Sequence, residues 1–480
     1  MNSLLLLRNR VAALPGGLLI AVPGIVLPAS GGTAPATAAR SPIQHVVVLY
    51  LENHSFDNIL GFWCHSNPGR CPDGGMPSRV KLSNGVVVTP FTDPDVVPVV
   101  QHRVADQIDA IDNGKMDGWE LIPGCFAKKK YACVSGYQPS QEPNLAALAK
   151  KFAISDKFFS LADSPSFGGH LDIVTSDTDG FAGNRPRTVP GVTAGQGWGC
   201  DSFRAAPWSA GPGRPVKNVP ACVPDPKLDV PNGGAFEPTP VSYERTIMDE
   251  LGAAGRSWKL YAGSCTNMQT KGNGLLYCHA AALGYDWAIC PVIAECLYTQ
   301  AATHATYTGR ILTDAAGGKL PAFSIVTPAG AYAPDSEHGG FSMTAGDDFA
   351  GQVANAIMTG PEWKSTVLFI TWDDCGCFYD QVPPPVNADG SREGPRIPLV
   401  IVSPYARPAY TDTTSASFAS ILAYVEHTYG LAALGVNDAH AYDLSGAFNY
   451  GQAPLKPIPM VNRPVPRGGH IDWSQANADT

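Results

Sequence analysis

The chain has 480 residues, 44% of them hydrophobic and 16% charged, with 33 basic against 42 acidic side chains and a formal net charge of −9. Charged residues usually make up about a quarter of a globular chain, and Gly and Pro together, 93 residues, stay below the roughly 25–30% of low-complexity sequences. This excludes a disordered tail protein, a collagen and a coiled coil, and the acidic balance without Lys/Arg runs argues against nucleic acid as a partner, whose affinity comes from phosphate neutralisation.

At the N-terminus Arg8 and Arg10 precede an apolar stretch over 11–28 and then the small residues Ala36-Thr37-Ala38-Ala39. A basic start, an apolar middle and an A-x-A-like site are the layout of a secretory signal. Pro15, Gly16, Gly17, Pro23 and Gly24 interrupt the apolar stretch, which argues against a lasting anchor, since spanning needs about 20 mostly apolar residues. Residues 1–39 are thus expected to be a signal peptide and residues 40–480 one domain, secreted or extracytoplasmic, with no membrane span after cleavage.

Twelve cysteines suit an oxidising compartment. Short loops favour Cys64–Cys71, Cys125–Cys133 and Cys200–Cys222. Cys265, Cys278, Cys290 and Cys296 leave three connectivities for two bridges, and Cys375 and Cys377 pair with each other or stay free. Zinc is the rival use, but no C-x-x-C pair is present.

Four short apolar runs read as buried strands of parallel type: 45–51 (HVVVLYL), 323–327 (FSIVT), 366–371 (TVLFIT) and 399–403 (LVIVS). Helix-like patterns lie at 144–152, 241–254, 349–358 and 415–429. Strands alternating with helices predict an α/β fold with a mostly parallel central sheet and helices on both faces. Residues 191–302, rich in Gly, Pro and Cys, read as an insertion or cap over the sheet. The Pro-rich tail after Gln452 is expected to run extended along the surface.

Ligands of open α/β sheets bind beyond the C-terminal strand ends, so the residues that follow each strand carry the functional signal. The first strand is followed by Glu52-Asn53-His54-Ser55-Phe56-Asp57, the run at 366–371 by Trp372-Asp373-Asp374, and the run at 323–327, after a short loop, by Asp335-Ser336-Glu337-His338-Gly339-Gly340. Acidic groups converging on one rim repel unless a cation lies between them, which points to a divalent metal on oxygen ligands.

These residues resemble the bacterial phosphoesterase family, which includes secreted phospholipases C and a branch of acid phosphatases. Glu52–Asn58 (ENHSFDN) is similar to its E-N-R-S-F-D signature, with His54 in place of the Arg. Gly114-Lys115-Met116-Asp117-Gly118, preceded by His102, is similar to its G-K-M-D segment, and Pro165-Ser166-Phe167-Gly168-Gly169-His170 to its P-S-F-P-N-H/R segment. Ser336-Glu337-His338, Thr371–Asp374 with Phe378–Pro383, and Gly394-Pro395-Arg396-Ile397-Pro398 follow in family order. The resemblance implies an alkaline-phosphatase-like three-layer α/β/α fold. It also implies a metal ion on Glu52, Asn53, Asp373, Asp374 and Ser166, with Ser166 as the nucleophile of a phosphoserine intermediate. His102, His170 and His338 would hold phosphate oxygens or protonate the leaving alkoxide. Lys115 and Asp117 would pair structurally or touch phosphate. Two departures stand out: Cys375-Gly376-Cys377 where phospholipases often have His-Gly-Gly, and Gly168-Gly169 for Pro-Asn.

The expected activity is hydrolysis of phosphoric esters, of small phosphomonoesters in the manner of an acid phosphatase or, as the alternative, of phospholipids. The absence of an amphipathic basic helix slightly favours soluble monoesters. Oxygen ligation favours Ca, Mg or Mn over Zn, though zinc fits such folds. Other readings are a non-catalytic exported binding protein on the same fold, a phosphoserine-using transferase, or a sulfatase, which lacks support because no Cys-x-Pro-x-Arg segment is present.

Overall fold

A computed structural model describes residues 41–127, 129–161, 165–195, 197–211, 214–228, 239–262, 269–270, 276–277, 287–328, 335–388, 390 and 392–466. The expected signal segment, Cys265 and Cys278 lie outside the described residues.

Among these residues the core is one eight-stranded mixed sheet. Its strands are β1 (His45–Leu51), β2 (Ala153–Ser155), β3 (Trp258–Ala262), β4 (Ala305–Tyr307), β5 (Phe323–Val326), β6 (Thr366–Trp372), β7 (Leu399–Val402) and β8 (Tyr410–Asp412), in the order β4-β3-β5-β1-β6-β7-β2-β8. β1 is central and pairs in parallel with β5 on one side and β6 on the other. Its β-branched and aliphatic residues are buried on both faces, as a covered strand requires. β3 and β4 continue in parallel beyond β5.

The run at 399–403 forms a strand, but not of parallel type: β7 is antiparallel to both β6 and β2. A parallel neighbour needs a crossover, usually a helix, and the described residues of 373–398 contain none. The chain turns back after the site loop, so β7 must run the other way.

The helices that frame the sheet and the site include α1 (Phe56–Ile59), α2 (Val104–Ile111), α3 (Pro143–Lys151), α4 (Ser166–Thr175), α5 (Ile247–Ala253), α6 (Arg310–Ala316), α7 (Met343–Thr359) and α8 (Phe418–Tyr429). Caps explain where they depart from the expected bounds. The Ser342 hydroxyl accepts from the Ala345 N–H, which starts α7 six residues before the expected position. Thr246 and Asp249 form a capping box that starts α5 later than expected. α3 and α6 pack on α7, whereas α4 packs on α5 and α8.

Residues 191–302 are partly built into this framework, since α5 and β3 lie within them. Cys200–Cys222 and Cys290–Cys296 staple other parts of the stretch, and Cys64–Cys71 and Cys125–Cys133 close short loops as expected. Cys375 and Cys377 are free and buried. The described part of the tail, up to residue 466, runs without regular structure and is held by Arg463, whose Nη2 lies 2.7 Å from Asp347 Oδ2 and whose Nη1 donates to the Gln141 carbonyl at 2.8 Å. No described helix is long and apolar enough to cross a membrane.

One buried ion cluster ties the two main site loops together. The Arg396 Nε lies 3.1 Å from both Asp380 oxygens, its Nη2 donates to Asp57 Oδ1 at 3.1 Å, and its Nη1 donates to the Asp156 carbonyl at 2.9 Å. The guanidinium also lies 4.1 Å from the centre of the Phe56 ring. Asp57 belongs to α1, which follows β1, and Asp380 to the loop after β6, and all three side chains are fully buried. Removing one partner of a buried pair strands the others. Arg396→Met is expected to lower unfolding free energy by about 3–5 kcal/mol in urea titration; a loss under about 1 kcal/mol would show that the cluster is not a clamp.

Candidate active site

In-register pairing of β1 and β6 sets Leu51 beside Trp372, so the residues that follow, Glu52 and Asp373, leave the sheet side by side. The ladder continues one step further, with the Asp373 N–H on the Leu51 carbonyl at 3.0 Å, and the Glu52 N–H reaches the Ser336 carbonyl at 3.0 Å. The loop carrying Ser336, Glu337 and His338 is thereby drawn to the same edge. Asn53 turns back at φ 63°, a left-handed conformation that Asn tolerates better than most residues, and its N–H donates to Asp373 Oδ1 at 2.9 Å.

Ser166 is the first residue of α4. Its hydroxyl donates to Asp374 Oδ2 at 3.1 Å, while Asp374 Oδ1 accepts from the Gly376 N–H at 2.7 Å. The departure at Gly168-Gly169 has a steric reason. A Cβ on Gly169 would lie 2.9 Å from the Asp373 carbonyl oxygen and 3.1 Å from the Tyr50 hydroxyl. Only glycine lets α4 approach the strand end this closely. Gly376 (φ +55°) is constrained likewise, as its Cβ would lie 2.2 Å from the Asn53 carbonyl oxygen.

The Asn53 carboxamide lies between two histidines and two carboxylates. One end is 3.1 Å from Asp373 Oδ1 and 3.2 Å from each oxygen of Asp374; the other is 3.1 Å from His338 Nε2 and 3.4 Å from His102 Nε2. His102 and His338 each direct Nδ1 to a carbonyl, of Val100 and Gly339, at 3.1 Å. A carbonyl only accepts, so each Nδ1 carries the proton and each neutral ring offers Nε2 as an acceptor. The amide NH2 then belongs on the histidine side, and the amide oxygen faces the carboxylates. Oxygens meeting at this spacing without a proton repel unless a cation lies among them. Cation–oxygen bonds of about 2.0–2.6 Å place neighbouring ligands roughly 3 Å apart. The donor set fits a divalent ion.

His170, one turn after Ser166, donates from Nδ1 to the Ser166 carbonyl at 2.7 Å, and its Nε2 lies 3.4 Å from Glu52 Oε1. Tyr50 holds this ring edge-on, centroids 4.9 Å apart, while its hydroxyl donates to the Gly169 carbonyl at 2.8 Å. Among the candidate residues Glu52, Asn53, Ser166, His102, His170, His338, Asp373 and Asp374, all are buried and all lie in this one contact network.

Other motif residues do different work. His54 packs inside, stacked on Phe378 with centroids 5.2 Å apart and bonded to Asn58 Oδ1 and the Glu337 carbonyl. Lys115 pairs with Asp112 at the surface, 65% exposed. Two contributors went unread in the sequence. Tyr50 is two residues before Glu52 and so on the same strand face, a period that would have pointed to it. Trp287, whose ring centroid is 5.2 Å from that of His338, lies in the Cys-rich stretch, where no pattern marks it.

Burial dominates the site's electrostatics. It raises Glu52 well above the usual carboxylate range, with Asp373 adding repulsion; it raises Asp373, with Asp374 adding repulsion; and it pushes Asp374 up to about 7. It also pushes His338 down to about 3, with His102 opposing its charge, and lowers His170. A carboxyl whose pKa is higher in the fold than in the unfolded chain favours folding below its unfolded pKa, and loses that contribution as the pH rises through its folded pKa. For Asp374 the window runs from 3.8 to about 7. Metal-free protein therefore loses stability across this range, while proton competition with a cation fades. Adding a divalent cation to chelator-stripped protein is expected to raise the melting temperature more at about pH 7.5 than at about pH 5. Equal gains at both would show that the carboxylates do not hold the ion.

Comparison with known proteins finds phosphoesterase relatives. The model of the Phosphoesterase family matches residues 43–432. Non-specific phospholipase C6 of Arabidopsis thaliana is 23% identical over 465 residues, covering 88% of this chain and 75% of that protein. Phospholipase C A of Mycobacterium tuberculosis is 23% identical, covering 90% of this chain and 82% of its own length. The non-hemolytic phospholipase C of Pseudomonas aeruginosa is 23% identical and covers 91% of this chain, which spans 60% of that protein.

Proposed function

The chain belongs to the Phosphoesterase family and is a hydrolase acting on phosphoric ester bonds; from that premise we propose that it is metal-dependent and uses Ser166 as its nucleophile. The observation that carries this is the Ser166 hydroxyl at the start of α4, 3.1 Å from Asp374 Oδ2 and beside the Asn53 amide edge that faces both aspartates. Helix starts favour anions, so a phosphoryl group approaching Ser166 meets the positive end of α4. We further assign the framework to an alkaline-phosphatase-like α/β/α arrangement, supported by the two groups of helices that pack separately, α3–α6–α7 and α4–α5–α8.

Asn53, Asp373, Asp374 and Ser166 would hold the ion, with Glu52 beside them, and the ion would supply charge neutralisation at the phosphoryl group. The Ser166 hydroxyl already donates to Asp374 Oδ2, so attack of Oγ on phosphorus passes its proton along that bond. The P–O bond to the alcohol breaks as the Oγ–P bond forms, leaving a phosphoserine. Water then attacks phosphorus, the Oγ–P bond breaks, and inorganic phosphate or a phosphomonoester departs. His338, kept neutral with Nε2 free of a proton, suits accepting the proton of that water better than protonating the first leaving group. The leaving alkoxide takes up the proton that Asp374 accepts from Ser166, and His102, whose Nε2 is likewise an acceptor, orients the Asn53 amide.

Phospholipids are the substrates this reading favours, because the relatives carry phospholipase C activity in their names. Small phosphomonoesters are the second reading, supported by the depth of the site, where Ser166 is 2% exposed. We also place the protein outside the cytoplasm, on its signal-like N-terminus and its disulfides. The test compares hydrolysis of phosphatidylcholine, p-nitrophenyl phosphorylcholine and p-nitrophenyl phosphate, with and without chelator. Turnover is expected to need a divalent ion and to fall by about 10³-fold or more in Ser166→Ala. A Ser166→Ala enzyme with undiminished turnover would remove the serine mechanism, and faster cleavage of the monoester than of either choline ester would select the phosphatase reading.

A further inference from the structure

Glu52, His170 and Asp373 form a group of their own within the site. One ligand atom from each lies within 4.8 Å of the others, and all three side chains are buried. The His170 Nδ1–H is committed to the Ser166 carbonyl at 2.7 Å, so in the neutral ring Nε2 carries the lone pair. That lone pair is directed at Glu52 Oε1, 3.4 Å away, acceptor against acceptor. His170 Nε2 and both Glu52 oxygens have no hydrogen-bond partner. Three orphaned acceptors in one buried space are costly. A single proton shared between them satisfies one contact; a cation satisfies all three.

Charge balance points the same way. Three carboxylates meet here, and among the described residues no lysine or arginine forms an ion pair with any of them. Arg185, half-buried, acts electrostatically on His338. One divalent ion leaves the buried carboxylates with an excess negative charge before an anionic phosphate ester enters. Two leave an excess positive charge, which attracts that ester. The contacts also divide: Asn53, Asp374 and Ser166 face one another on one side, Glu52 and His170 on the other, and Asp373 belongs to both groups.

We propose that the centre holds two cations, the second bound by Glu52, His170 Nε2 and Asp373 beside the one on Asn53, Asp373, Asp374 and Ser166. His170 is then a metal ligand, fixed by the Ser166 carbonyl and the Tyr50 ring, and not a group that moves protons. Its nitrogen makes the second position the better one for Zn or Mn than for Ca or Mg. The inference rests on the metal-dependent reading of the site, and its test is independent of turnover.

The full chain, stripped with chelator, is reloaded with Mn²⁺ or Zn²⁺, freed of unbound ion and counted by elemental analysis. Wild type is expected to retain two equivalents and His170→Ala one, with circular dichroism confirming that the variant folds. One equivalent in wild type, or equal uptake by both proteins, overturns the proposal. If His170→Ala does not fold, wild type alone decides by Mn²⁺ electron paramagnetic resonance. The second equivalent is expected to couple to the first and suppress its six-line signal, and two independent, additive signals overturn the proposal. A protein that binds two ions yet hydrolyses none of the esters would overturn the proposed function and leave this inference standing.

Discussion

Three buried carboxylates placed against one another are the constraint that the rest of the site answers to. Glu52 and Asp373 are neighbours because β1 and β6 pair in register, and Asp374 follows by one residue. Sequence placed them there through the sheet itself: seven residues of β1 and seven of β6, all apolar enough to be covered on both faces, leave no freedom to slide. Burial then raises every one of these carboxyls. A fold that paid this cost for packing alone would do better with apolar residues of similar volume. Protons or a positive charge between the oxygens relieve the repulsion, and the unpartnered acceptors of Glu52 and His170 lie where the protein itself supplies no donor.

Holding repelling groups in place requires stiff surroundings, and the chain supplies them by two means. The first is the Arg396 cluster, which bonds α1, after β1, to the loop after β6 from beneath. The second is close backbone approach. Gly169 and Gly376 let α4 and the Asp374 loop come within contact of the Asp373 and Asn53 carbonyls. Any side chain at either position would push Ser166 or Asp374 outward, and phosphoryl transfer loses rate steeply with such displacements. Rigidity here comes from what is absent at two positions as much as from the ions at a third.

The long apolar runs at β1, β5, β6 and β7 were legible because a buried strand of four to seven residues leaves an unmistakable hydrophobic block. β2, β4 and β8 were not, being three residues each, too short for any pattern to stand out against neighbouring loops. β3 was hidden inside a Cys- and Gly-rich stretch whose composition suggested a separate cap. The direction of β7 was also out of reach, because a hydrophobic block does not record which way its strand runs; only the missing crossover helix does. For the site, the acidic and histidine residues could be read from their place after strands and from the family motifs. Their division of labour could not. Whether His170 faces a phosphate or an ion depends on the tautomer set by one backbone carbonyl, which no spacing encodes.

The same logic separates the three histidines. Each directs Nδ1 to a backbone carbonyl, so the backbone sets all three Nε2 atoms as acceptors in their neutral rings. What differs is what Nε2 meets. For His102 and His338 it is the Asn53 amide, so the pair orients that amide and turns its oxygen toward Asp373 and Asp374. For His170 it is Glu52, a second acceptor, and no donor stands between them. His102 and His338 therefore reach the site through the Asn53 amide, whereas His170 Nε2 meets Glu52 with no donor between them, the gap that the proposed second cation would fill.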